Sequence, residues 1–121
     1  MFNFEKLDVW HKAIEFADLA YDITRAFPDD ERFGLTNQMR RAAVSISSNI
    51  AEGSARFSPA DHARFLEIAT GSLFEVVSQT RISLRRQFIT QEQHDQIYTA
   101  AEEQSRMLSG LRRSLLAKPH P

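Results

Sequence analysis

Four stretches of this chain repeat apolar residues at alternating steps of three and four, and proline, glycine and capping residues separate them. That spacing puts the apolar side chains on one stripe of an α-helix but on both faces of a strand, so each stretch reads as a helix with one buried side. In the first, Val9, Ala13, Phe16, Ala20, Ile23 and Phe27 form the stripe, and Pro28 with Asp29-Asp30 closes it. The second opens at Gly34-Leu35-Thr36 and carries Leu35, Met39, Ala42, Ala43, Ile46 and Ile50. It ends near Gly53-Ser54, where glycine is expected to take the left-handed cap conformation. Ser58-Pro59-Ala60-Asp61 supplies an N-cap serine, a proline at the first helical position and an acid at the third. Behind it run Phe65, Leu66, Ala69, Leu73, Val76, Val77, Thr80 and Leu84. Thr90-Gln91-Glu92-Gln93 repeats the capping logic, and Ile97, Ala101, Gln104, Leu108, Leu111 and Leu115 follow as far as Lys118-Pro119.

The spacing therefore predicts helices over about 7–27, 35–54, 58–87 and 90–117. Helices joined by short connections pack antiparallel to their sequence neighbours, so the expected fold is all-α, one antiparallel up-down-up-down four-helix bundle spanning residues 1–121. An open pair of helical hairpins, completing its core only by oligomerising, is the alternative architecture. A chain of 121 residues is a size for one domain, and an ordinary apolar core suffices to hold it. With no cysteine, disulfides, thiolate metal sites and cysteine nucleophiles are excluded. The longest stretch without a charge, Ala42 to Ala51, is far short of the roughly 20 apolar residues that span a bilayer. No membrane partner is expected. The opening Met1-Phe2-Asn3-Phe4-Glu5-Lys6 has no basic region followed by an apolar run, so the expected location is the cytoplasm.

Charge is uneven along a chain whose formal net charge is −1. Residues 1–31 hold three Lys/Arg against eight Asp/Glu, and the remainder holds twelve against eight. Twelve of the fifteen cations are arginine, which suits planar contact with carboxylate or phosphate.

Catalytic and metal-binding patterns are sparse. Bundle di-metal sites need Glu-x-x-His pairs on two helices, and Asp8-x-x-His11 is the nearest spacing, once. His62, His94 and His120 read as surface or capping histidines. No glycine-rich phosphate loop or nucleophile elbow is present, so no cofactor and no enzymatic activity are expected. Gly71 and Gly110 lie within helices, where glycine costs about 1 kcal/mol relative to alanine; they are expected to let a neighbouring backbone or ring approach closely.

Two constellations remain. On the second helix Gln38, Arg41, Ser45, Ser48, Asn49, Glu52 and Arg56 recur beside the apolar stripe, and on the third Ser72, Glu75 and Gln79 have matching spacing. Half-buried polar groups must be paired, so Arg41 with Glu75 and Asn49 with a neighbouring backbone are expected to fix helix register or subunit contacts. A small-ligand or catalytic site around Ser48, Asn49 and Glu52 is the sharper alternative, without a histidine or lysine to activate the serine. The second constellation comprises the arginines Arg40, Arg81, Arg85, Arg86, Arg112 and Arg113, with Arg106 extending one patch, as candidates for phosphate contact. The aromatic residues fall mostly on the stripes, which leaves few rings expected for base stacking. Trp10 and Tyr21 are expected at the rim of the core.

Phe4-Glu5-Lys6-Leu7-Asp8-Val9-Trp10, Phe27-Pro28 and Glu31-Arg32-Phe33-Gly34-Leu35-Thr36-Asn37-Gln38-Met39-Arg40-Arg41-Ala42 resemble the bacterial four-helix bundle proteins associated with 23S ribosomal RNA intervening sequences. The most specific blocks are Ala43-Val44-Ser45-Ile46-Ser47-Ser48-Asn49-Ile50-Ala51-Glu52-Gly53 and Phe65-Leu66-Glu67-Ile68-Ala69-Thr70-Gly71-Ser72-Leu73-Phe74-Glu75. Thr70 departs from the pattern, where arginine is frequent. The resemblance covers residues 4 to about 117 and implies a small non-enzymatic bundle that assembles into a homopentamer. A related accessory protein of diversity-generating retroelements is a basic pentamer that binds nucleic acid and a reverse transcriptase; a net charge of −1 argues against so basic an assembly here. Under the resemblance, Gln38, Arg41, Ser45, Asn49, Glu52 and Glu75 serve subunit packing, and the arginines line a surface or channel. The expected partners are further copies of the chain, ribosomal RNA or another nucleic acid through the arginines, or a protein in a scaffold without nucleic-acid affinity.

Overall fold

The computed structural model describes residues 1–117, in which four helices run in chain order: α1 (Asp8–Thr24), α2 (Leu35–Ser54), α3 (Pro59–Arg85) and α4 (Gln91–Leu116). Short 3-10 turns at Asn3–Lys6 and Asp29–Glu31 precede α1 and α2. The stop read at Lys118-Pro119, and His120, lie outside the described residues.

Each helix touches its two sequence or ring neighbours, α1 with α2, α2 with α3, α3 with α4 and α4 with α1, and the diagonal pairs stay apart. Cross-helix hydrogen bonds give the directions. Gln79 of α3 reaches Gln38 and Ser72 reaches Ser45, so α3 retreats as α2 advances. Arg40 of α2 bonds to Thr24 near the end of α1, and Gln104 of α4 bonds to Val9 near its start. The bundle is antiparallel and closes within one chain, which disposes of the open hairpin pair.

The stripes read from spacing form the core: Val9, Ala13, Phe16, Ala20, Ile23, Met39, Ala43, Ile46, Ile50, Leu66, Ala69, Leu73, Val76, Ile97, Ala101 and Leu108 are all buried. Leu35, Val77, Leu84 and Leu111 pack on it half-buried. Gln104 is the polar member of the fourth stripe and is 1% exposed. Its Nε2 donates to the Val9 carbonyl at 3.1 Å, while its Oε1 has no partner among the described residues.

The helix ends differ from expectation in instructive ways. α1 stops at Thr24 and not at Phe27, because the residue before Pro28 is excluded from helical geometry. Phe27 still reaches the core and meets Phe88, ring centroids 5.5 Å apart. No glycine among the described residues has positive φ, so Gly53 is not a left-handed cap. A Cβ there would lie 2.8 Å from Phe65 Cβ and 3.2 Å from the His62 carbonyl oxygen, so glycine is needed for the close approach of α2 to α3. Gly71 and Gly110, for which such an approach was expected, face open space.

Candidate functional site

The polar stripe of α2 meets α3 as the spacing requires, but through hydroxyls and amides. Ser45 Oγ and Ser72 Oγ share a hydrogen bond at 2.9 Å, and Gln79 Nε2 donates to Gln38 Oε1 at 3.3 Å. Asn49 does not reach a neighbouring backbone; its Nδ2 donates to the Ser45 carbonyl at 2.8 Å and to Ser45 Oγ at 3.0 Å, one turn back on its own helix. The expected Arg41–Glu75 ion pair is absent among the described residues. Both side chains are exposed and line one cleft of about 360 Å³ between α2 and α3, with Asn37, Gln38, Ser45 and Ser72. A second cleft of about 650 Å³, between α1 and α2, is lined by Tyr21, Arg40, Val44, Ser48, Asn49 and Glu52 among others. Ser48 and Glu52 are exposed there without a hydrogen bond between them, so the geometry holds no nucleophile and base pair.

The six arginines divide between the two ends of the bundle. Arg81, Arg85 and Arg86 sit at the exposed C-terminal end of α3, beside the start of α2, whereas Arg112 and Arg113 sit at the far end of α4. About 20 residues of helix at ~1.5 Å each separate the groups by roughly 30 Å, several screening lengths at physiological salt. Arg40 is committed internally. Its Nε donates to Thr24 Oγ1 at 2.8 Å, and its guanidinium lies 4.7 Å from the centroid of the Tyr21 ring. Arg112 pairs with Glu67 across the α3–α4 seam at 3.2 Å. Trp10 takes its expected place at the core rim, half-buried, whereas Tyr21 is exposed, its ring beneath the Arg40 guanidinium.

Exposed rings are more numerous than the stripes implied. Phe2, Phe33, Phe57 and Phe74, four of the nine phenylalanines, are exposed, as are Tyr21 and Tyr98. On the outer half of α3, away from its buried stripe, Ile68, Phe74 and Ile82 are all exposed, spread over about 120° of the helix. Beside them a groove of about 510 Å³ between α3 and α4 is floored by Leu73, Val77 and Ala101, with Phe74, Tyr98, Glu102 and Arg106 around it. Sequence reading missed this surface because Phe74 and Ile82 lie off the buried stripe of α3; a second apolar stripe on a helix already assigned its core side is the signal that marks it.

His94 is 6% exposed, not a surface histidine, and its Nδ1 lies 3.0 Å from Asp95 Oδ1. That hydrogen bond, followed by one from Gln91, holds the Asp95 carboxyl below its usual value. Lys12 bridges Glu103 and Glu15 at 3.6 and 3.5 Å, which raises its pKa, Glu103 contributing most. Among the described residues no three His, Cys, Asp or Glu side chains gather to hold a metal ion, and no helix is long and apolar enough to cross a membrane.

Comparison with known proteins agrees with this fold. A crystal structure from Bacteroides thetaiotaomicron VPI-5482, of a protein with unknown function from the S23 ribosomal protein family, superposes with a TM-score of 0.80 at 26% identity, covering 87% of this chain and 95% of that one. No curated protein matches the chain. The model of the 23S rRNA-intervening sequence protein family matches residues 5–110. A match across nearly all of the bundle, together with the superposition, places the chain among these proteins: it belongs to the 23S rRNA-intervening sequence protein family.

Proposed function

We propose that this protein is a non-enzymatic, cytoplasmic accessory factor that self-assembles, as a homopentamer, and binds structured RNA. The observation that carries the reading is the uncovered apolar surface on the outer side of α3, where Ile68, Phe74 and Ile82 are exposed and Phe74 lines the groove rimmed by Tyr98. Three large apolar side chains left exposed on the outer half of one helix, one of them lining an apolar groove, are a surface that association would cover. Arg41 and Glu75, exposed and without ion-pair partners among the described residues, join this assembly as pairing groups between subunits. The family's description associates these proteins with 23S rRNA intervening sequences, and Arg81, Arg85 and Arg86 supply exposed guanidiniums for phosphate.

Light scattering coupled to gel filtration tests the assembly. The expected mass is five times the 13.9 kDa of one chain, with Phe74→Glu returning it toward the monomer and Arg41→Ala or Glu75→Ala weakening it. A monomeric wild type at tens of micromolar defeats the reading. Titrating a labelled structured RNA over a salt series tests the partner, and binding with a clear negative log–log slope supports it. A second reading, an oligomeric protein scaffold without nucleic-acid affinity, draws on the engagement of Arg40 with α1 and of Arg112 with Glu67. No RNA binding at low salt selects that scaffold.

A further inference from the structure

The corner between α2 and α3 has a construction that neither core packing nor assembly along α3 uses. We propose that Phe57, on the corner where Arg56 and Arg64 stack on Phe65, is a stacking site for an unpaired base of a single-stranded RNA segment; this rests on the RNA-binding reading above.

Phe57 is fully exposed, at a cost in hydration that no contact among the described residues offsets. The corner that presents it is stiff. On the α2 side the Ala55 and Arg56 amides bond to the Glu52 and Gly53 carbonyls. On the α3 side Ser58 Oγ accepts from the Asp61 amide and Pro59 opens the helix. Ordering a loop on binding is expensive, and here little ordering is left to do. Beneath the corner the buried Phe65 ring carries two guanidiniums, Arg56 at 4.5 Å and Arg64 at 4.9 Å from its centroid. Stacking fixes their planes and leaves their N–H groups available to an anion. Arg64 is paired with Asp61 at 3.6 Å, whereas Arg56, next in sequence to Phe57, has no carboxylate partner among the described residues and is the cation free to meet a phosphate.

A nucleobase fits these surroundings better than the other occupants of an exposed ring. The sequence neighbours of Phe57 are Ala55, Arg56, Ser58 and Pro59, small or polar, and its ring is fully exposed, whereas a protein hot spot sits in a well-packed pocket from which water is excluded. Insertion into a membrane interface calls for several apolar side chains together. A base requires only a π-face, and its phosphates require fixed cations close by.

The test compares a hairpin RNA bearing 2-aminopurine in its unpaired loop with a blunt duplex of the same stem, each titrated with the full-length protein over a salt series. Phe57→Ala is expected to weaken loop binding about 10-fold with the salt slope unchanged and duplex binding unaffected. Phe57→Trp is expected to retain the affinity, and Arg56→Gln to lower the slope by about one. Because Phe57 touches nothing buried, circular dichroism of each variant is expected to match wild type. Equal loop affinity of wild type and Phe57→Ala overturns the proposal, as does an equal loss on loop and duplex, or a Phe57-dependent binding to anionic vesicles in place of RNA. If wild type binds RNA but the Phe57 variant behaves identically, only this site fails; if wild type binds no RNA, the RNA reading falls with it.

Discussion

Asp95 ties the charge of one surface carboxylate to a buried imidazole. The hydrogen bond from His94, and then that from Gln91, lowers the Asp95 pKa below the ordinary carboxylate range. A group whose folded pKa is depressed contributes stability above its unfolded pKa and loses it as the pH falls through the folded one. Asp95→Asn is therefore expected to unfold at lower urea concentration than wild type at pH 7. The gap should close as the pH is taken below the unfolded value of about 4 and through the lower folded one. A gap that persists unchanged in strong acid would assign the effect to something other than this ionisation. His94 itself was not legible as a buried residue, because a histidine at a helix start is ordinarily solvated and its burial here depends on a neighbouring helix that spacing cannot place. Glycine proved equally dependent on context: Gly53, Gly71 and Gly110 look alike in sequence, but only the first has another helix within van der Waals reach.

At the scale of the element, the junction of α3 and α4 shows what local chemistry can settle. Thr90 Oγ1 accepts from the Gln93 amide at 3.1 Å and Gln93 Oε1 accepts from the Thr90 amide at 2.9 Å, the reciprocal box that the four-residue pattern announced. The preceding helix end was harder to read. There Phe88 N–H reaches the Ser83 carbonyl and Gln87 N–H the Leu84 carbonyl, a Schellman closure with Gln87 at φ 63°, where glycine is the usual residue. A glutamine in the left-handed region gives no sequence signal, which is why the helix was extended to residue 87. Two substitutions should move stability in opposite directions. Thr90→Ala is expected to cost about 1 kcal/mol, and Gln87→Gly to gain several tenths to about 1 kcal/mol by relieving the left-handed strain. Urea denaturation with a common slope measures both, and a stabilising Thr90→Ala or a destabilising Gln87→Gly would refute this account of the junction.

At the scale of the whole molecule, the bundle was legible because helix stripes and short connections leave few ways to close a core, whereas the distribution of function over its surface was not. Spacing set the polar stripe of α2 against Ser72, Glu75 and Gln79 of α3, yet the pair it named, Arg41 with Glu75, stays apart while Ser45 meets Ser72, since pairing depends on rotamers and helix tilt. Nor could it reveal that residues 81–86 and 112–113 lie at opposite ends, because distance along an antiparallel hairpin is set by fold and not by sequence number. This separation has a measurable consequence for RNA binding. Each phosphate neutralised contributes close to one unit to the log–log salt slope, so the slope counts the cations engaged. An RNA held at one end should lose slope with the triple variant Arg81→Gln, Arg85→Gln, Arg86→Gln and keep it with Arg113→Gln, or the reverse. The α3 end is expected to carry most of the slope, because Arg81, Arg85 and Arg86 are all exposed, while at the other end Arg112 is paired with Glu67 and Arg56 at the α2–α3 corner adds about one. The triple variant should therefore reduce the slope by about three and Arg113→Gln by less than one. Equal losses from both ends would mean that the RNA follows the full length of the bundle, and no loss from either would leave the arginines to solvation alone.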